Sequence, residues 1–379
     1  MAGVTTEMAP PRSDGAGDLN VLVVDDSVFA RAMIAKWVEE ARLGTVATAA
    51  DGEQALKKLA AFPADIVTLD LEMPVLSGYE AVPRILEMRP DIRIVIVSGK
   101  SEADARKTLK ALDLGAVDFV QKPGPGDKEA FRRQVLERVM ALGERRRGTA
   151  RTAPAVAAAK SPRPAYAPPA PPSAAPKPMP STSRLSLAER PAVLAIGSST
   201  GGPDALARLL KSIGPKIAVP VVLCQHMPAK FTSILATNLT RQTGIECREG
   251  VNGEPLLPGR VYVAPGDRHM LVRRKGTGHQ IELSDAPPEH FCRPAVDPLF
   301  RSLAEAYGAR TLALVLTGMG SDGAQGALAL TRAGANVAVQ DEESSVVWGM
   351  PGAVFKAGAA KAVLPIEGMA ELVKKSCAA

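Results

Sequence analysis

Short apolar runs alternate with longer segments of helical period along the first 147 residues of the chain. The runs Asn20–Val24, Gly44–Ala49, Ile66–Asp70, Ile94–Ser98 and Asp118–Gln121 predict strands. Between them, Ser27–Glu40, Gly52–Ala60, Gly78–Arg89 and Asp104–Leu114 predict helices, and Lys128–Arg147 predicts a basic, amphipathic closing helix. The rhythm returns in the last half of the chain with longer units. There Val193–Ile196, Val219–Cys224, Arg260–Ala264 and Thr311–Leu316 predict strands, with Gln280–Leu283 as part of a hairpin beside His269. Pro203–Lys211, Lys230–Arg241, Pro294–Tyr307 and Gly323–Arg332 predict helices. Near-continuous apolar strands separated by helices imply parallel sheets covered on both faces. The expected fold class is therefore α/β, with two doubly wound parallel-sheet domains, the first flavodoxin-like and the second Rossmann-like.

The pattern fails between the halves. Of the 37 residues from Gly148 to Arg184, 21 are Pro or Ala and ten are Pro. Such a segment cannot bury enough surface to offset its ordering entropy, so residues 148–184 are expected to be a disordered linker between domains at 19–147 and 185–379. Residues 1–18 lack an apolar signal core and are expected to form a flexible extension. No apolar run reaches the length that spans a bilayer, so a membrane protein is not expected.

Charge changes the picture little. The net charge is +6, and five of the basic residues (Arg151, Lys160, Arg163, Lys177 and Arg184) lie in the linker, which has no acid. The remainder is nearly balanced, and basic and aromatic side chains do not cluster, which argues against a nucleic-acid partner. The four cysteines (Cys224, Cys247, Cys292 and Cys377) form no metal-ligand spacing and read as free thiols of a cytoplasmic protein.

Two constellations carry chemistry. In the first, Asp25 and Asp26 end the first strand, Asp70 ends the third, Ser98 ends the fourth, and Lys122-Pro123 follows the fifth. Strand ends in an open parallel sheet line one crevice. Three carboxylates without Cys or His suit Mg²⁺, and a carboxylate beside Mg²⁺, an ammonium and a hydroxyl can accept a phosphoryl group. The bland alternative is that strand-end aspartates cap the helices that follow, for Asp26 above all.

In the second, a strand runs into Gly197-Ser198-Ser199-Thr200-Gly201-Gly202-Pro203, which sets Ser199 in G-x-S-x-G. That is the pattern of a sharp strand-to-helix turn that exposes a serine hydroxyl. The same turn could bind a dinucleotide phosphate, but the next strand ends Cys224-Gln225-His226 and offers no acidic ribose partner. Ser199 could also simply cap the helix. His226 follows the second strand at the same sheet edge and can serve as base, and Asp322, in Thr317-Gly318-Met319-Gly320-Ser321-Asp322-Gly323 after a third strand, can orient it. Asp322 as a helix cap, and His269 or His290 as rival bases, remain open alternatives. The chain order Ser, His, Asp differs from that of α/β-hydrolases, so G-x-S-x-G does not imply that family.

Val23-Val24-Asp25-Asp26-Ser27, Asp70-Leu71-Glu72-Met73-Pro74 with Gly78, Ser98 and Lys122-Pro123 together resemble the response-regulator receiver domain. The resemblance implies phosphorylation at Asp70, Mg²⁺ held by Asp25, Asp26 and Asp70, Lys122 and Ser98 on the phosphoryl oxygens, and Phe119 as a switch aromatic. Phe119 as a plain core residue is the alternative. Ile196 to Gly202, Gln225-His226-Met227-Pro228, Ala264-Pro265-Gly266-Asp267-Arg268-His269 and Leu316 to Gly323 resemble the chemotaxis protein-glutamate methylesterase family. That resemblance implies Ser199, His226 and Asp322 as a triad needing no metal, with the amides of Thr200 and Met319 holding an oxyanion. It further implies glutamate methyl esters of methyl-accepting chemoreceptors as substrate, possible glutamine deamidation, and a histidine kinase as phosphodonor. The linker is longer and richer in Pro and Ala than the family pattern. Gly99-Lys100 follows Ser98 where the family often has a second hydroxyl residue. A non-catalytic regulator, or an esterase of small metabolites, are the competing functions.

Overall fold

The computed structural model describes residues 19–124, 126–152 and 190–377, without side chains for 144–152. The extension expected at 1–18 and residues 153–184 of the expected linker lie outside the described residues. The first domain runs β1 (Leu19–Val24), α1 (Val28–Glu40), β2 (Gly44–Ala49), α2 (Gly52–Leu59), β3 (Ile66–Asp70), α3 (Gly78–Met88), β4 (Arg93–Ser98), α4 (Glu102–Asp113), β5 (Asp118–Gln121) and α5 (Lys128–Thr152). Its sheet order is β2-β1-β3-β4-β5, parallel throughout, which is the flavodoxin-like order. Helix α5 continues five residues past Arg147, because Ala, Arg and Thr tolerate a helix and the first proline comes only at Pro154.

The second domain contains β6 (Val193–Ser198), α6 (Gly202–Ile213), β7 (Val221–Gln225), α7 (Phe231–Thr243), β8 (Glu246–Glu249), β9 (Arg260–Val263), β10 (His269–Lys275) and β11 (Gly278–Ser284). It continues with α8 (Val296–Ala306), β12 (Thr311–Val315), α9 (Ala324–Arg332), β13 (Asn336–Gln340), α10 (Gly349–Lys356), β14 (Ala362–Leu364) and α11 (Ile366–Cys377). Seven parallel strands follow the order β14-β13-β12-β6-β7-β9-β8, and β10 and β11 form a separate antiparallel hairpin. The strands β8, β10, β13 and β14 extend the predicted set. The chain leaves β6 for β7 on one side, while β12 pairs on the other, so β6 sits at the switch point where open α/β sheets form their ligand crevice.

The two domains touch through their sheets and helices. Phe119 on β5 stacks on Phe231 at the start of α7, with ring centroids 4.5 Å apart and planes 9° from parallel. One apolar cluster carries first-domain residues such as Leu109 together with Leu235 and Ile234 of α7. A second joins Val139 and Leu142 of α5 to Val347, with Met319 and Val346 at its edge.

Candidate active site and phosphoacceptor pocket

The acid pocket lies at the carboxyl end of the first sheet. Asp25 and Asp70 are buried and Asp26 is exposed, and their ligand oxygens lie within 4.8 Å of one another. Ser27, not Asp26, caps α1 by accepting from the Ala30 N–H, which leaves Asp26 free for the pocket. Lys122 Nζ lies 2.6 Å from Asp70 Oδ2 and 3.4 Å from Asp25 Oδ2. Burial raises the Asp70 pKa and the charge of Asp25 adds to this, against the hydrogen bond and charge of Lys122. Asp25 Oδ2 is buried and accepts no hydrogen bond. Two crowded carboxylates, one of them with a buried oxygen whose near neighbour is the Lys122 ammonium, and an all-oxygen donor set fit a hard divalent cation such as Mg²⁺. Ser98 Oγ accepts from Thr108 Oγ1 at 2.6 Å at the pocket's edge.

The serine site follows from the switch point. Gly201 adopts φ 75 and caps α6 without a side-chain bond, so Ser199 is not the helix cap. A Cβ on Gly201 would meet Val346, and one on Gly202 would lie 1.9 Å from Gln225 Oε1. The turn therefore needs both glycines. Gln225 Nε2 donates to the carbonyls of Ser199 (2.9 Å) and His226 (3.2 Å), and its Oε1 accepts from Ser198 Oγ at 2.6 Å. Gln225 thus clasps the serine and histidine loops together, a role its place next to His226 in the sequence does not reveal.

His226 Nε2 and Asp322 Oδ2 lie 2.6 Å apart. Asp322 does not cap α9, whose N-cap is Gly323. Its carboxylate instead accepts from the N–H groups of Val296 (2.6 Å), Asp297 (2.9 Å) and Gly323 (2.8 Å). Two of those donors form the N-terminus of α8, which favours negative charge. Burial works to raise the Asp322 pKa, but His226 and the backbone donors outweigh it and hold the group low. Burial likewise works to lower the His226 pKa, yet Asp322 and Cys292 together raise it to about 10. The ring nitrogen left for a substrate proton is Nδ1, and it faces Cys292 Sγ at 3.5 Å.

The rival bases separate. His269 is buried, accepts from the Ala295 N–H and faces the Pro287 carbonyl, so it braces a loop. His290, in contrast, lines the same cavity as Ser199 and His226 and pairs with the buried Asp297 at 2.9 Å. His290 follows no core strand in the sequence, and the loop before α8 brings it to the cavity. Neither the Thr200 N–H nor the Met319 N–H donates to any atom of the described residues. Both flank Ser199, since Gly318, next to Met319, lies so close that a Cβ there would meet the Ser199 backbone N at 3.1 Å.

A cavity of about 760 Å³ holds Ser199, His226, Met319 and Asp322 on one wall and α5 residues including Arg133 and Arg138 on the other. The first domain also grips the serine loop itself. Gly201 N donates to the Val117 carbonyl at 3.0 Å, and Thr200 Oγ1 donates to Asp118 Oδ2 at 2.5 Å. Arg138 Nε lies 3.2 Å from the same Asp118 oxygen. Phe119 is thus an interdomain contact as well as a buried residue of its own domain's core.

Comparisons with known proteins follow the same division. The CheB methylesterase family matches residues 194–373, and the response regulator receiver domain matches residues 21–132. The chain is 45% identical over 353 residues to protein-glutamate methylesterase/protein-glutamine glutaminase 2 of Caulobacter vibrioides, covering 92% of this chain and 96% of that protein. It is 40% identical over 373 residues to the Azospirillum brasilense protein-glutamate methylesterase/protein-glutamine glutaminase, covering 97% and 94%. Among solved structures, the CheB methylesterase catalytic domain of Thermotoga maritima is 37% identical with a TM-score of 0.48, covering 49% of this chain and 98% of that one.

Proposed function

The chain belongs to the CheB methylesterase family in its receiver-bearing form, and from that premise we propose that it hydrolyses glutamate methyl esters of methyl-accepting chemoreceptors under phosphorylation control. It is an enzyme of the protein-glutamate methylesterase/protein-glutamine glutaminase class. The observation that carries the residue-level reading is the His226–Asp322 pair at 2.6 Å, seated beside Ser199 in one cavity. In the proposed cycle His226 Nδ1 takes the Ser199 hydroxyl proton as Oγ attacks the ester carbonyl. The amides of Thr200 and Met319 hold the oxyanion, and methanol leaves with the proton from His226. Water, deprotonated by the same nitrogen, then releases glutamate from Ser199. A glutamine would follow the same path and release ammonia.

Regulation rests on β5. The first domain stands over the serine: α5 residues including Arg133 and Arg138 form the cavity wall opposite Ser199, and Asp118 bonds to Thr200, so the resting arrangement is the inhibited one. Asp70 would accept the phosphoryl group from a histidine kinase. Mg²⁺, held by Asp25, Asp26 and Asp70, would supply charge neutralisation for that transfer. Lys122 leaves its bond to Asp70 for the phosphoryl oxygens, with Ser98 beside them. Lys122 immediately follows β5, which bears Asp118 and Phe119, so its movement is passed to the interdomain contacts.

Methanol release from methylated receptor membranes tests this directly. A small-molecule phosphodonor with Mg²⁺ is expected to stimulate the intact protein, and chelation or Asp70→Ala to remove the stimulation. Stimulation that survives Asp70→Ala would end the phosphoacceptor reading. Asp118→Ala removes the hydrogen bond to Thr200 and the pairing with Arg138. A bond to a charged group contributes about 1.5–3 kcal/mol, so basal release without phosphodonor is expected to rise about tenfold. An unchanged basal rate would mean that the Asp118 contacts do not restrain the serine loop.

A further inference from the structure

We propose that Cys292 is a redox modification site, where a hydroperoxide converts the thiol to a sulfenic acid with His226 as base and thereby stops ester hydrolysis. The functional consequence rests on the proposed triad, whereas the thiol chemistry does not. Cys224, Cys247 and Cys377 are buried, while Cys292 is part-exposed and lines the cavity that holds Ser199 and His226. Its Sγ lies 3.5 Å from His226 Nδ1, and Asp322 fixes the same ring from behind at 2.6 Å from Nε2. A thiol, an imidazole and a carboxylate therefore stand in line beside the serine and share its base. Ester hydrolysis has no use for the thiol.

The surrounding loop sets this contact. The backbones of Glu289 and Cys292 bond to each other in both directions, at 3.1 and 2.8 Å, which closes a tight turn. The two residues inside it, His290 and Phe291, both adopt left-handed φ values of 51 and 60. Non-glycine residues in that region are costly, and such strain concentrates where a loop holds a functional geometry. The turn is tied on its far side by the His290–Asp297 bond, and Arg133 of α5 lies 4.8 Å over the Phe291 ring.

The thiolate is the reactive form of cysteine, and His226 Nδ1 is placed to take the proton whose loss forms it. In the step proposed, Nδ1 accepts the S–H proton and the sulfur attacks one peroxide oxygen. The S–O bond forms as the O–O bond breaks, and the departing oxygen takes the proton from His226 and leaves as water or an alcohol. Sulfur loses two electrons and the peroxide gains them. Two thiols reverse the product: the first displaces water to form a mixed disulfide, and the second releases the Cys292 thiol as the two reductant sulfurs leave joined in a disulfide. While it lasts, the added oxygen lies against the nitrogen that Ser199 needs.

The experiment treats the full-length protein with hydrogen peroxide. Methanol release is followed together with mass spectrometry of the Cys292 peptide after dimedone trapping. Activity of untrapped samples is expected to fall about tenfold in step with the fraction of Cys292 that dimedone captures in parallel aliquots, and dithiothreitol added in place of dimedone is expected to restore it. Cys292→Ala and Cys292→Ser, each compared with its own untreated rate, are expected to keep their activity. His226→Gln is expected to slow trapping at Cys292 about tenfold. Equal loss of activity in the Cys292 variants would overturn the proposal and point to oxidation elsewhere, as at Met227 or Met319. Equal trapping in the intact protein and His226→Gln would overturn it as well. If the untreated protein releases no methanol, the esterase reading fails separately, and the trapping comparison still decides the thiol chemistry.

Discussion

Ser199→Ala is expected to lower kcat for methanol release by on the order of 10⁶-fold while leaving KM nearly unchanged, because it removes only the attacking atom. The loop should survive the change. Its ties are the Ser199 N–H to the Thr317 carbonyl at 3.0 Å, the Ser199 carbonyl to Gln225, and the Gly201 amide to Val117, none of which uses the hydroxyl. Receptor binding, measured separately, should therefore be retained. A variant within about tenfold of the intact rate would remove Ser199 from the mechanism. If that remaining rate vanished on further replacement of Cys292, the nucleophile would be the thiol, which shares the same imidazole. If it persisted, the second domain would be acting by another route, or only as a binding surface.

The second large effect is expected at Asp322. Asp322→Asn should cost about 10⁴-fold in kcat, since an amide cannot hold the imidazole in the tautomer that leaves Nδ1 as the acceptor. The substitution also sets an NH₂ group against backbone donors, where the carboxylate accepts from Val296, Asp297 and Gly323. One N–H left unpaired costs about 1–3 kcal/mol, so thermal stability should fall with activity. The pH profile distinguishes catalysis from simple loss of fold. The Asp322 carboxylate and Cys292 raise the His226 pKa, and hydrolysis needs the neutral ring, so activity should climb as pH rises. Without the carboxylate the ring titrates lower, and the rising limb of whatever activity remains should move toward neutral pH. An unshifted limb in folded Asp322→Asn would separate Asp322 from the base.

The elements that the sequence shows most clearly are those whose residues are buried on both faces. The strand Val21-Leu22-Val23-Val24 reads as one apolar run because helices cover both sides, and it appears where expected. Strand β8 has the sequence Glu-Cys-Arg-Glu, which is amphipathic and lies at the sheet edge, so its composition gives little sign of a strand. Strand β14 has three residues and no period to read. The candidate residues Ser199, His226 and Asp322 were legible because each follows its own core strand. The second layer was not, since Gln225, Asp297 and Cys292 act through hydrogen bonds that only the folded loops create. Asp118 was hidden for a further reason. It sits at the start of β5, away from the strand ends where chemistry is expected, and its partner Thr200 is 82 residues away in the other domain.

The order of these parts along the chain has a consequence during synthesis. Asp322 lies on the loop after β12, and β12 must pair with β6 before the carboxylate reaches His226. Ser199 and His226 therefore emerge from a ribosome well before the group that orients them. The sheet of the first domain is complete before either appears, and N-terminal domains generally fold first. A nascent molecule thus completes its first domain ahead of the assembled site of its second, so Val117 and Asp118 are in place to bond the serine loop when that loop appears.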